Sequence, residues 1–599
     1  MVSVFSLIIP ILGFMVRCDA QPAVGGSFAE VKISSGIVRG RERTGPGGIT
    51  YFSFPAIPYA SAPVGPFRFK APSSVPVWNG VLDVSSKSVP VCMHMELITK
   101  QVVGVEDCLV VNVFTPANLK EKVEPELPVM VYIHGGGYVA GSSTTDLFSP
   151  GHLVSRNVIM VSLNYRLSSL GFLSTEDHSA PGNYGILDQI EALNWVQKNI
   201  HAFGGDPKQV TIFGISAGGS SVHNLILSPL AKGLFKYAIS QSGTSLCDWA
   251  IADAPLANTK RLAELLDCPT DTSKKMLHCL RRAPAKELVR IVGSFHKWFL
   301  LPLAFGPVVD SNYSEDPIFP RAPVDLLATG DFNRVPWITG VTEDEGYCMS
   351  AFAFLNSTLA RKLDTEWLQY CPLILDIENT VEMDKMDEVC LKIKEQYFGN
   401  ATVSENLHLL TKMAGERSFK SCAKLSADLQ SRFSPVYLYT FEYEGTLGWL
   451  DLVIGATKLG GNIKGLNLSK PKGKFSSLRM FIINGKFRVA HADDMFYLFD
   501  MPWFHSVPRT ESDKKVLANF VDLWTNFAKF GDPTPDTDAN KFPLRWPKYD
   551  PQNKNAIRCV INEELSLSDA SLIDDTADQF WRSLPIRENI PKLWKREEL

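Results

Sequence analysis

Apolar runs of strand length recur along the chain, separated by stretches of helical spacing or by glycine and proline. Leu127-Pro128-Val129-Met130-Val131-Tyr132-Ile133-His134 and residues 158–164 are apolar on both faces, the pattern of strands in a parallel sheet covered by helices. Residues 188–200 carry apolar side chains at helical spacing and stop before Gly204-Gly205-Asp206-Pro207. Val210-Thr211-Ile212-Phe213 then reads as a buried strand and residues 219–227 as a helix. Further strands are expected at 237–241, 335–340 and 436–441. Strand, helix and strand in alternation predict a doubly wound α/β core: a large, mostly parallel central sheet with helices on both faces. Long helical insertions, at about 255–330 and 350–432, are placed over the sheet's C-terminal edge as a cap.

The flanks read differently. Residues 30–34 and 36–40 alternate and predict a small antiparallel hairpin. From Phe54 to Phe69 the chain holds Pro55, Pro58 and Pro63, and an irregular stretch is expected because proline at this density excludes a central strand or helix. Residues 445–479 are rich in glycine and lysine and read as a solvated surface insertion.

Residues 4–16 are an apolar core too short for a comfortable membrane span, followed by Cys18-Asp19-Ala20 with small residues at the cleavage-determining positions. A secretory signal peptide at residues 1–20 is expected, with residues 21–599 forming one domain, since no linker divides the 599-residue chain. Removing Cys18 with the leader takes the eleven cysteines to ten, an even number suited to an oxidising compartment. There Asn312, Asn356, Asn400 and Asn467 are glycosylation sequons. No later stretch reads as a membrane span. Arg596-Glu597-Glu598-Leu599 resembles the tetrapeptides that return soluble proteins to the endoplasmic reticulum lumen. The protein is therefore expected in the secretory pathway, outside the cell or, if that ending is read, in the lumen. A net charge of −4 without long charged runs gives no reason to expect nucleic acid.

The chemistry centres on Gly214-Ile215-Ser216-Ala217-Gly218. A serine held in a sharp turn between strand and helix needs flanking positions without a Cβ, and this is the G-x-S-x-G nucleophile elbow. A serine hydroxyl is a poor nucleophile until a base takes its proton, so a histidine oriented by a carboxylate must follow in the order Ser, acid, His. Of His408, His491 and His505, the first sits in a helical stretch and the last beyond a further apolar segment. His491 lies where a loop can return to the elbow. The strand ending at Gly340 runs into Glu343-Asp344-Glu345-Gly346, and position alone does not choose among the three carboxylates. His134-Gly135-Gly136-Gly137 follows a core strand as an oxyanion loop does, with Gly136, Gly137 and Ala217 as the expected N–H donors. The lysine and Ser/Thr of a phosphate-binding loop are missing after Gly137.

These segments, with Glu106-Asp107-Cys108-Leu109, Asn164-Tyr165-Arg166-Leu167, Gly182-Asn183-Tyr184-Gly185, Asp188-Gln189 and Gln241-Ser242-Gly243, make the chain resemble a type-B carboxylesterase of the cholinesterase-like α/β-hydrolase family. It is most like the secreted arthropod carboxylesterases. The resemblance covers residues from about 30 to 560. It implies the α/β-hydrolase fold and Glu345 as the acid, because the family's acid precedes a glycine as Glu345 precedes Gly346. It also implies Cys92–Cys108 and Cys268–Cys279 disulfides, a supporting role for Ser242 and an acyl pocket lined by Trp249, while six cysteines stay unpaired on this reading. Two positions depart from the family pattern: Ile215 stands where Glu or Gln is usual, and Arg488 where a glycine is usual.

The activity implied is hydrolysis of carboxylic esters through an acyl-enzyme, with a small-molecule ester as partner and with no metal or cofactor. The alternative is a catalytically silent binding or adhesion protein on the same fold, from which a triad member is usually missing. A neutral, hydrophobic ester is expected in preference to a choline ester. Cholinesterases carry a tryptophan for the quaternary ammonium inside the first cysteine loop, whereas residues 93–107 here have no Phe, Tyr or Trp. The apolar run from Trp298 to Leu303 favours lipophilic groups, although a core helix also explains it.

Overall fold

Period-two burial along the central strands decides the layering. In β6 (Leu127–Ile133), Val129, Val131 and Ile133 join one apolar cluster with Val161, Ile212, Val222 and Leu225, while Met130 and Tyr132 join another with Phe213, Phe520 and Trp524. Successive side chains of a strand point to opposite faces, so a run apolar at every position needs a covered sheet on both sides. Burying each such side chain contributes about 1.5–3 kcal/mol. The computed structural model from which these contacts are read describes residues 26–589, apart from 97–98, 117–118, 120–124, 447, 449–488, 503–508, 539–541 and 554–555. The signal peptide, Asn467, Arg488, His505, the C-terminal tetrapeptide and nearly all of the glycine- and lysine-rich insertion lie outside the described residues.

The strands are β1 (Phe28–Ile33), β2 (Gly36–Thr44), β3 (Thr50–Pro58), β4 (Val81–Asp83), β5 (Val110–Thr115), β6, β7 (Ile159–Leu163), β8 (Gly205–Ile215), β9 (Tyr237–Gln241), β10 (Trp337–Thr342), β11 (Val436–Phe441), β12 (Ile557–Ile561) and β13 (Ser566–Asp569). They form one sheet in the order β1-β2-β3-β5-β7-β6-β8-β9-β10-β11-β12-β13, with β4 beside β2. From β7 to β12 every neighbouring pair is parallel, and antiparallel pairs flank this core on both sides. Helices α1 (Tyr184–Asn199) and α2 (Ala217–Leu227) cover one face. α3 (Ser421–Gln430) closes the second insertion, and α4 (Glu511–Phe530), begun by a Thr510/Asp513 capping box, covers the other face. Arg166, just after β7, fixes the start of α1 through a bidentate pair with the buried Asp188 at 2.6 and 2.7 Å.

Two expectations are corrected. The proline-rich stretch is not irregular throughout: β3 runs to Pro58 in the sheet interior, between β2 and β5. Its register against β5 breaks between Phe54 and Ile57, Ala56 has φ 55°, and the Ala56 N–H donates to Asn112 Oδ1 at 2.8 Å. Pro55 therefore falls at a bulge, where its missing donor interrupts no ladder bond. Nor do the core strands end with the last one expected, at 436–441, because β12 pairs in parallel with β11 after residue 550.

The insertions are helical, with Pro255–Glu264, Ser273–Arg282, Ala285–Val292 and Pro323–Thr329 in the first and Tyr347–Leu355 through α3 in the second. The second has its own core of Leu363, Trp367, Ile374, Ile393 and Met413. Among the described residues no helix is long and apolar enough to cross a membrane.

Candidate active site

Ser216 joins β8 to α2 at φ 57° and ψ −125°, backbone angles that an L-residue adopts at a cost of about 1–3 kcal/mol. The surroundings enforce that conformation. The Ser216 N–H donates to Gln241 O and the Ser220 N–H to Ser216 O, both at 2.8 Å. A Cβ at Gly218 would lie 2.1 Å from Ile133 O, so glycine is required where α2 starts against the end of β6. Ala217, the first residue of α2, has an N–H without an acceptor inside its own helix.

The glycine loop leaves β6 beside this turn. Gly136 has φ 111° and Gly137 φ 61°, and Gly136 O accepts from the N–H groups of Val139 and Ala140. His134 is buried and stacked on Tyr165 at 4.5 Å, and Tyr165 Oη donates to His134 O at 2.9 Å. Burial pushes the His134 imidazole down to about 4, which makes it a neutral support for the loop. Leu300 and Leu303 approach Gly137, and the run they belong to is a turn, with Lys297 and Trp298 bonded to Leu301, not the core helix that was the other reading.

At the end of β10 the three carboxylates separate by burial. Glu343 is exposed, Asp344 half-buried and Glu345 fully buried. The Thr342 N–H donates to Glu345 Oε1 at 2.7 Å, while Glu345 Oε2 lies 2.5 Å from His491 Nδ1. His491 keeps 13% of its side chain exposed. Its turn is anchored by Asp493, whose Oδ2 accepts from the Ala490 N–H at 2.9 Å, and by Ala492 at φ 74°.

Ser242 is buried at φ 51°, and its N–H donates to Gly340 O at 2.9 Å. Trp249 is buried with its ring against Gly243, and its Nε1 donates to Ser418 O at 2.9 Å. Four disulfides form among the described residues: Cys92–Cys108, Cys268–Cys279, Cys247–Cys422 and Cys371–Cys390. Cys348 and Cys559 are buried and free. Asn312, Asn356 and Asn400 are exposed.

Two groups of residues here have no sequence signal that gives them a role, although Gln241 lies in the Gln241-Ser242-Gly243 segment of the resemblance. One π-helical turn, Glu416–Lys420, presents Phe419 to both His491 (centroids 4.5 Å apart) and Trp249 (5.9 Å). Cys247–Cys422 ties that turn to the Trp249 segment. The other group is a buried polar set, Gln241, Asp494, Tyr439 and Trp524, behind the His491 turn. Asp494 stands in a conspicuous acidic pair with Asp493, but periodicity assigns it no partner.

A family model described as "Carboxylesterase family" matches residues 27–581. A carboxylic ester hydrolase of Bombus ignitus is 35% identical, over 93% of this chain and 94% of its own length. Venom carboxylesterase-6 of Apis mellifera is 32% identical over 94% and 95%, and juvenile hormone esterase of Tribolium castaneum 31% identical over 90% and 91%.

Proposed function

The chain belongs to the carboxylesterase family and is a carboxylic ester hydrolase, and from that premise we propose that Ser216, His491 and Glu345 are its nucleophile, general base and orienting acid. Ser216 Oγ attacks the ester carbonyl as its proton passes to His491 Nε2. Glu345 holds the proton on Nδ1 and stabilises the imidazolium. The tetrahedral oxyanion receives N–H bonds from Gly136, Gly137 and Ala217. The alcohol leaves with the proton from Nε2, and water repeats the sequence on the acyl-enzyme, releasing the acid and restoring the hydroxyl. The observation that carries this reading is the 2.5 Å contact between the buried Glu345 and Nδ1 of His491, which leaves Nε2 for the serine.

Ser216→Ala tests it, because the change is small and its role chemical. Hydrolysis should fall by about 10⁴-fold or more and covalent labelling by an organophosphate should disappear, with the fold unchanged by circular dichroism. Near-normal turnover would refute the assignment.

The substrate is assigned as a neutral, lipophilic ester, supported by the apolar flank of the glycine loop at Leu300 and Leu303. It predicts a higher kcat/KM for a naphthyl or medium-chain aliphatic ester than for acetylthiocholine, and the reverse preference would overturn it. Residues 1–20 are proposed as a secretory leader and 21–599 as one domain. Four disulfides support an oxidising compartment. Glycans at Asn312, Asn356 and Asn400 are readable by mass after glycosidase treatment, and deleting residues 596–599 asks whether the ending holds the protein in the lumen.

A further inference from the structure

Gln241 bonds to both halves of the site. Its carbonyl oxygen accepts from the Ser216 N–H at 2.8 Å, on the turn that strains the serine. Its side-chain Nε2 donates to Asp494 Oδ2 at 2.7 Å, and Asp494 lies three residues beyond His491 on the same turn. The rest of its amide is also engaged, since Oε1 accepts from Trp524 Nε1 at 3.3 Å, which fixes the flip of the group. Tyr439 Oη donates to the same Asp494 oxygen at 3.3 Å. Gln241, Asp494, Tyr439 and Trp524 are all fully buried, and Gln241 ends β9, hydrogen-bonded between β8 and β10 in the sheet interior.

We infer that Gln241 is a positioning residue that sets the distance between Ser216 and His491 by bonding the nucleophile's turn through its main chain and the base's turn through its side chain to Asp494. The inference rests on the assignment of Ser216 and His491 above. His491 sits on a short turn and is partly exposed. Its bond to Glu345 constrains the ring, and the Asp344–Ala490 bridge constrains the entry to the turn. The exit from the turn is held by Asp494, and the group that holds Asp494 is the one on which Ser216 also hangs. Loss of this brace leaves the pocket and the acyl wall intact but lets the imidazole drift relative to Ser216 Oγ, and a displacement of about 1 Å at that contact is enough to cost about 10²-fold in rate.

The experiment compares Gln241→Met, Asp494→Leu and Asp494→Asn in the full chain with Ser216→Ala beside them, using one aliphatic ester and thermal unfolding as a check on each variant. Gln241→Met keeps the length of the side chain and removes both hydrogen bonds. It should lower kcat by about 10²-fold with KM within a few-fold of wild type, and slow organophosphate labelling of Ser216 in proportion. Asp494→Asn keeps an oxygen to accept from Gln241 and Tyr439, so it should retain most of the turnover that Asp494→Leu loses. If Gln241→Met does not fold, Gln241→Leu replaces it, since an apolar side chain of similar volume also removes both side-chain hydrogen bonds. Folded Gln241 variants with kcat near wild type would overturn the inference, as would an Asp494→Asn variant as impaired as Asp494→Leu. An active Ser216→Ala would instead overturn the triad, so the two failures are distinguishable.

Discussion

Glu345 Oε2 stands 2.5 Å from His491 Nδ1, and the main chain sets that register: one residue earlier on each side, Asp344 and Ala490 form a parallel bridge, and the Asp344 N–H donates to Val489 O at 2.9 Å. Equal offsets from a bridged pair bring the next two side chains together. Side-chain choice completes the pair, since only the residue after Asp344 is fully buried.

Glu345→Gln should leave this geometry nearly unchanged and still abolish most activity. The Thr342 N–H bonds one carboxylate oxygen, so the amide must turn its oxygen there and its NH₂ toward Nδ1. His491 then carries its proton on Nε2 and cannot accept one from Ser216. A kcat fall of about 10⁴-fold is expected, with KM little altered. A fall of less than tenfold in steady-state kinetics would show that the carboxylate does not choose the tautomer.

Gly218→Ala tests the elbow as a steric device. Its Cβ would meet Ile133 O at 2.1 Å, whereas a Cβ at Gly306 has nothing nearer than 3.9 Å. The first substitution should cost about 3 kcal/mol or more, because the backbone of β6 cannot move aside, and activity should fall with it. Gly306→Ala should unfold within a degree or two of wild type. Equal melting temperatures for the two variants would refute the steric account.

What could be read from the chain alone follows from locality. The buried strands were legible because a sheet covered on both faces needs apolar residues at every position, as in 127–133, and the elbow because its glycines meet a steric demand within five residues. β3 was hidden because Pro55 argues against a strand until the bulge opposite Asn112 is known. Chain pattern could not separate Glu343, Asp344 and Glu345, since their difference lies in burial set by the remote Asp344–Ala490 bridge. The pairing of Cys247 with Cys422 spans 175 residues and has no periodic signature. Phe419 reaches His491 only because of a π-helical turn, and such turns leave no recognisable mark in sequence.

That turn makes a prediction about selectivity. Phe419 and Trp249 face each other, the indole N–H is bonded to Ser418 O, and Cys247–Cys422 joins the two segments, so the wall that we propose for the acyl group is one cross-linked unit. Phe419→Ala should shift the optimum acyl chain of a p-nitrophenyl ester series to longer groups, with a change of about tenfold or more in the kcat/KM ratio of long to short substrates. Because Phe419 also packs on His491, absolute rates should fall for all substrates, and the ratio is the diagnostic quantity. A parallel loss along the whole series would mean that the ring supports the base and does not shape the pocket.

Asp494 carries a prediction about pH and stability. Its carboxyl is fully buried, and burial, reinforced by the negative charge of Glu345, pushes it up to about 6 from 3.8 against the opposing hydrogen bond from Gln241, the charge of His491 and the hydrogen bond from Tyr439. A carboxyl whose folded value is raised favours the folded state while protonated. That contribution is complete below about 4, declines as pH rises, and is lost once pH passes through about 6. The amide introduced by Asp494→Asn has no proton to lose and keeps an oxygen for Gln241 and Tyr439. The melting temperature of Asp494→Asn minus that of wild type should therefore be nearly constant below pH 4, rise between pH 4 and 7, and level off above. Groups common to both proteins cancel in this difference, so the curve isolates position 494. A difference that is flat across the range would show that folding leaves the Asp494 carboxyl at its ordinary value, and one that falls as pH rises would show that the buried site stabilises its charge.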